Sequence, residues 1–269
     1  MTAVAYTDRF NFGRLFSDAG HVFARAWLPI AIGALVLNVA PVVAASLPWW
    51  EGSTYTPSLH RIWAEVTLAK NVVMLAATSL ANTFACAVSL GVLSGAGWRS
   101  LLGRRRVTAG AVTYLVIGVL VNWPSLVSPF AAVSPSIESA LWLLALAQPV
   151  GVLLTAPFLG LAVATAIVER ASVRAAIARS YGLLRGLRWR MLGAALCYQF
   201  LLFVSVYGAV WALYLSRLPY QPAGLGRVAF NLSVLPMAVF FVPVFSSFYL
   251  QARRLADGPS AAELHDVFA

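Results

Sequence analysis

Apolar residues run through this chain in six blocks, at about 28–47, 69–96, 109–129, 139–168, 191–215 and 228–251. Crossing roughly 30 Å of hydrocarbon takes about 20 residues of helix, and each block reaches that length. The blocks are continuously apolar and lack the period-two alternation of a barrel wall, so they predict helices and not strands. The expected fold is therefore all-α: a polytopic membrane protein with six transmembrane helices, residues 1–269 forming one membrane domain. A segment at 1–27 precedes the first block and a tail at 252–269 follows the last. So long a lead before the first apolar run is unlike a cleavable signal peptide, which predicts that this run stays as a span.

Two of the polar stretches carry helical spacing of their own. In 169–191, Val173, Ala176, Ile177, Leu183, Leu184, Leu187 and Met191 fall within a sector about 120° wide, bordered by arginines. In the N-terminal segment, Phe12, Leu15, Phe16, Ala19, Val22, Phe23 and Ala26 do the same, with Arg14 and Arg25 beside them. Both read as basic amphipathic helices lying in the membrane surface, apolar face down. Gly182 and Gly186, four apart, suggest the close approach of another backbone. Trp27 and Trp189 stand at span entries, with Thr108 midway between them, which suggests three helical-hairpin units of about 81 residues.

Charge fixes the expected orientation. Of the 19 basic residues, all but Arg61, Lys70, Arg217 and Arg227 lie in the N-terminal segment, the second and fourth connections and the tail. By the positive-inside rule this places both termini in the cytoplasm. A mean hydropathy of +0.81 agrees with lipid as the main solvent. The net charge of +10 does not point to nucleic acid, because the arginines flank apolar spans where topology and anionic lipid already explain them. Arg170, Arg174, Arg179, Arg185, Arg188 and Arg190 make the densest basic surface, and anionic membrane lipids, or a protein partner on the cytoplasmic face, are its expected partners. Cys86 and Cys197 fall inside spans and read as packing residues.

Glu169, Ala176, Arg179, Ser180, Leu183, Gly186, Trp189, Leu192 and Gly193 form the pattern E…A..RS..L..G..W..LG. This resembles the signature of the glycerophosphoryl diester phosphodiesterase membrane-domain family and its multi-pass bacterial inner-membrane relatives. The aromatic N-terminal segment and the "SFYLQARR" exit from the last span add to the likeness. Tyr249, Leu250, Gln251, Ala252 and Arg253 stand where relatives carry a Y.DLR-like exit, without its acidic residue. The resemblance implies a helical module of the bacterial cytoplasmic membrane. It does not imply phosphodiesterase activity, because the catalytic part of such enzymes is a separate soluble barrel.

Reactive chemistry is sparse. His21, His60 and His265 are far apart in sequence and none has metal-ligand spacing with a Cys, a carboxylate or another His, so no metal, cofactor or catalytic residue is expected. His60, Arg61 and Glu65 read as a solvated cluster, and Glu169 as a helix-start carboxylate pairing with a nearby arginine. The central part of each span lacks ionisable residues, which weighs against proton coupling. The spans do carry Asn38, Asn82, Gln148, Gln199 and Asn231. These amides read first as hydrogen bonding between helices, and second as the lining of a polar cavity beside proline-kinked helices. The expected function is a non-enzymatic membrane protein that organises lipid or docks a partner. The alternative is a permease-like subunit moving a small amphiphile or peptide, with a lipid-headgroup enzyme third.

Overall fold

The computed structural model describes residues 10–40, 57–95, 97–131, 150–215 and 225–258. Among them there is helix and no strand. The elements are α1 (Phe12–Ala34), continued by a π-helical turn (Leu35–Val39), α2 (Pro57–Leu93), α3 (Trp98–Leu101) and α4 (Arg104–Ala131). They are followed by α5 (150–159) and then α6 (Ala162–Glu169), α7 (Val173–Leu183), α8 (Arg188–Leu215) and α9 (Leu225–Asp257). Three helical segments are long and apolar enough to cross a membrane, Phe12–Asn38, Asn71–Leu93 and Val150–Glu169, and the bent pair α7 and α8 would make a fourth. The expected third and sixth spans lie within helices α4 and α9.

The expected surface segment at 1–27 is not separate from the first span. Asn11 caps α1 by accepting from the Arg14 amide, and the helix then runs without a break past Trp27. The cause is the spacing: Leu15, Ala19, Val22, Ala26 and Ile30 form one stripe on one face, all buried. Packing that stripe against α2 and α9 needs a straight continuation, and a bend at the membrane surface would split it. The aromatic residues Phe12, Phe16, Phe23 and Trp27 face outward, and Phe23 stacks on Phe240 at 5.0 Å. Helix α2 starts at Pro57, well before the expected span at 69, and α9 runs on to Asp257, into the expected tail.

The expected surface helix over 169–191 is also divided. Arg170 takes the left-handed conformation (φ 53), unusual for a side chain with a Cβ, and ends α6. Ser172 then caps α7 by accepting from the Ala175 amide. Residues 184–187 form a turn in which Gly186 has φ +89, and α8 leaves at 107° to α7. Ala176 is buried, and Leu183, Leu184, Leu187 and Met191 are buried in one cluster with Leu15 of α1, Leu161 and Phe248 of α9. Most of the apolar sector is thus covered by protein, with Val173 and Ile177 half-buried, because the turn folds it back onto the bundle. Nothing approaches Gly182 or Gly186; Gly186 serves the turn instead.

Helix α2 is the hub, packing on α1, α4, α9 and the short α3. Its C-terminal turn depends on a close approach. A Cβ on Gly91 would stand 2.6 Å from the Trp98 backbone nitrogen, so the chain can reverse tightly into α3 only if that position has no side chain. Gly91→Ala should destabilise the fold by about 1–3 kcal/mol through overpacking. Gly20→Ala in α1, where a Cβ meets open space, should be neutral or slightly stabilising. Thermal unfolding of the purified protein checks the pair, and equal effects at the two sites would contradict this packing.

Candidate functional site

The six arginines of the basic stretch separate into two groups. Arg179 points into an ionic cluster: its Nε donates to Glu169 Oε1 at 3.4 Å and its Nη2 to Asp257 Oδ1 at 2.6 Å. Arg253 joins Asp257 at 3.6 Å, and the Tyr249 hydroxyl donates to Glu169 Oε1 at 3.1 Å. The hydrogen bond that Arg179 donates to Asp257, with the charge of Glu169 beside it, raises the Arg179 pKa above its ordinary value. Arg188 lies 4.9 Å from the Phe158 ring and 4.6 Å from that of Tyr181. Arg190 lies 5.1 Å from the Phe10 ring and donates to the Phe10 carbonyl at 3.5 Å. Arg170, Arg174 and Arg185 are exposed and have no acidic partner among the described residues. The basic stretch thus holds three exposed arginines without acidic or aromatic contacts among the described residues, and Trp189 in the same stretch is 84% exposed.

The signature pattern in this stretch is structural. Ala176 and Ser180 are fully buried, Gly186 supplies the turn, and Arg179 and Glu169 pair with each other. Ser180 has the most specific task. Helix breaks at Gly160 and Leu161, downstream of Pro157, which has no amide to donate. Ser180 Oγ accepts from the Leu161 amide at 3.3 Å and donates to the Phe158 carbonyl at 3.1 Å, so the freed backbone of α5 and α6 is satisfied by a residue of α7.

Between α1, α2, α4, α5, α6, α8 and α9 lies a partly enclosed cavity of about 280 Å³. Two irregular pieces of backbone meet it. Asn38 comes from the π-helical turn and Gly160 from the break. Single π turns inside α-helices are frequent at functional sites. Asn38 and Asn82, expected as cavity amides, both line it. Thr78 Oγ1 donates to Asn38 Oδ1 at 3.3 Å, and Asn82 Nδ2 donates to Tyr114 Oη at 2.9 Å. Gln199 is not among the lining residues; it is half-buried, and its Nε2 has no hydrogen-bond partner. Gln148 and the side chain of Asn231 lie outside the described residues.

Thr78, Tyr114 and Tyr198 were not foreseen as lining groups. One signal was legible: Thr78 and Asn82 are four apart and so share a face of α2. Tyr114 was hidden because an aromatic ring in an apolar run reads as hydrophobic. Every lining residue is uncharged, and no group of three His, Cys, Asp or Glu that could hold a metal occurs among the described residues. Cys86 lines the cavity and accepts a long contact of 3.7 Å from Ser246 Oγ. The arrangement can bind through apolar contact and neutral hydrogen bonds. No known family, no curated protein and no solved structure matches this chain.

The ionic cluster is partly exposed, so each pair alone should contribute about 0–1 kcal/mol. A double-mutant cycle of Arg179→Gln and Asp257→Asn should show a coupling of about 0.5–1 kcal/mol in thermal or denaturant unfolding. High salt should shrink it. Strict additivity at low salt would mean that the cluster does not tie α6 and α7 to α9.

Proposed function

We propose that this is a non-enzymatic integral membrane protein of six spans, with both termini cytoplasmic, that engages anionic lipid headgroups through its arginine-rich face. One observation carries the reading: Arg170, Arg174 and Arg185 are exposed and have no acidic partner among the described residues, in the same stretch of chain as Trp189, which is 84% exposed. Exposed cations and an exposed indole in one stretch suit the boundary between headgroups and acyl chains. Near an anionic leaflet each arginine is worth about 1 kcal/mol before screening.

The shared side of the termini is supported by contacts at one end of the bundle. The Asn11 amide donates to Gln251 Oε1 at 3.1 Å, and Arg190 reaches Phe10, so the starts of α1 and α8 and the exit of α9 lie together. Leu28, Ile32, Val36, Leu154 and Phe200 are exposed apolar residues, suited to face lipid. The pattern of the 169–193 stretch, resembling that of a membrane-domain family, agrees with the same reading. A second reading, a permease-like subunit that passes a small amphiphile or peptide, is favoured by the cavity inside the bundle.

Orientation is checked by cysteine labelling in intact cells. Ser53→Cys and Ser134→Cys should react with an impermeant reagent and Ser260→Cys should not; the reverse result would discard the topology. Native mass spectrometry of protein from mild detergent tests the lipid surface. Replacing Arg174, Arg185 and Arg170 together with Gln should reduce bound anionic lipid several-fold while the protein stays inserted, whereas the triple Lys variant should retain most of it. If the Gln and Lys variants bind alike, charge at this face is not what holds the lipid. Leu183→Asp with Leu187→Asp should instead unfold the bundle, because both side chains are buried.

A further inference from the structure

We infer that the cavity within the bundle is a binding site for a single-chain amphiphile whose head is uncharged and hydroxyl- or amide-bearing. The inference deepens the permease-like reading and rests on the bundle's lying in lipid, not on the arginine surface.

The size comes first. A cavity of about 150 Å³ lined by apolar residues takes up benzene. At about 280 Å³ this one has room for nearly twice as much, on the order of a dozen heavy atoms. That suits a length of alkyl chain with a small head and excludes a whole two-chain phospholipid. Most of the wall is hydrocarbon, including Ile117, Val121, Val152, Leu159 and Phe241.

The polar lining sets the chemistry of the head. Asn38, Thr78, Asn82 and Tyr114 are contributed by three elements, and positions 78 and 82 are one helical turn apart on α2. Their mutual bonds leave capacity unused. The Asn38 amide is engaged through Oδ1, which leaves its NH₂ to donate; Tyr114 Oη accepts from Asn82, which leaves its own proton to donate. Asn82 Oδ1 remains as an acceptor. Donors and an acceptor side by side match a hydroxyl or an amide, which can both donate and accept. No lining residue carries charge, so a carboxylate, phosphate or ammonium would enter without a counter-ion at a cost of several kcal/mol. Waters alone would satisfy the polar groups but not the apolar wall.

The backbone supports an evolved site. The π turn that delivers Asn38 and the break at Gly160, where the Met191 side chain fills the place of a Cβ, are both local departures from α-helix, and both line the same cavity. Interrupted helices are typical of places where a bundle binds a substrate.

The test uses the full-length protein in lipid nanodiscs with three probes of one chain length: decanol, decanoate and decane. A photoactivatable diazirine analogue of decanol is crosslinked to the protein and the modified peptides are located by mass spectrometry. Crosslinks should fall on the peptides carrying Ile117, Val121 and Val152, and decanol should compete at least fivefold better than decanoate or decane at equal mole fraction in the membrane. Tyr114→Phe with Asn82→Leu should remove that preference for the alcohol while chain crosslinking persists, and Ala164→Phe should abolish crosslinking at the cavity. Equal competition by decane would show that no head is recognised, and an absence of crosslinks at the cavity peptides would mean that it holds water; either result overturns the inference. The Arg170, Arg174 and Arg185 triple Gln variant should crosslink like the unmodified protein. Transport of the probe in proteoliposomes is measured separately, so binding without transport would sink the permease-like reading and leave this site standing.

Discussion

A backbone that leaves helical form inside an apolar bundle has no water to bond, so each freed amide and carbonyl must find a partner in the protein. At the break in the helix, the Leu161 amide and the Phe158 carbonyl find that partner in the hydroxyl of Ser180, which is itself fully buried. The bond fixes α7 against the junction of α5 and α6, and α7 brings the turn at Gly186 and the start of α8 with it. Leu183, Leu184 and Met191 then close one end of the bundle together with Leu15 and Phe248. The basic stretch, the broken helix and the inner end of the cavity thus rest on one side-chain hydroxyl with two backbone partners.

Charge and neutral polarity are kept apart. The ionic cluster of Glu169, Arg179, Arg253 and Asp257 lies at the end of the bundle where partial exposure lowers the cost of desolvation. The polar side chains that line the cavity are all uncharged: amides, hydroxyls and the Cys86 thiol. Met191, Ala164 and Cys86 belong both to the cavity wall and to the apolar cluster beneath the charged end, so a layer of hydrocarbon separates the two. Such a layer keeps the charged side chains out of direct contact with the neutral site.

The amphipathic stretches show where periodicity misleads. Of the residues that spacing in 169–191 put on one face, Ala176, Leu183, Leu184, Leu187 and Met191 are buried and Val173 and Ile177 are half-buried. Spacing did not identify what covers them. A stripe one helix wide looks the same whether it meets lipid or another helix, and here the left-handed Arg170 and the turn at Gly186 decided in favour of protein. The same ambiguity holds for α1, whose buried stripe continues from Leu15 to Ile30 across the place where a surface segment was expected to end.

The sequence by itself determined the helical class, the long apolar segments and the sorting of basic residues, because these depend on local hydrophobicity, length and charge. It also identified Asn38 and Asn82 as polar groups that an apolar helix has to accommodate. Only the tertiary structure decided that these two face one cavity with Thr78 and Tyr114, that Arg179 is spent on Glu169 and Asp257, and that Arg170, Arg174 and Arg185 are exposed with no acidic partner among the described residues. The deciding pairs are separated along the chain by tens of positions: Asp257 lies 78 residues beyond Arg179, and Asn38 lies 40 before Thr78. Local pattern has no term for such distances; they are settled by which helices pack together and by the angle at which a turn sends the chain back.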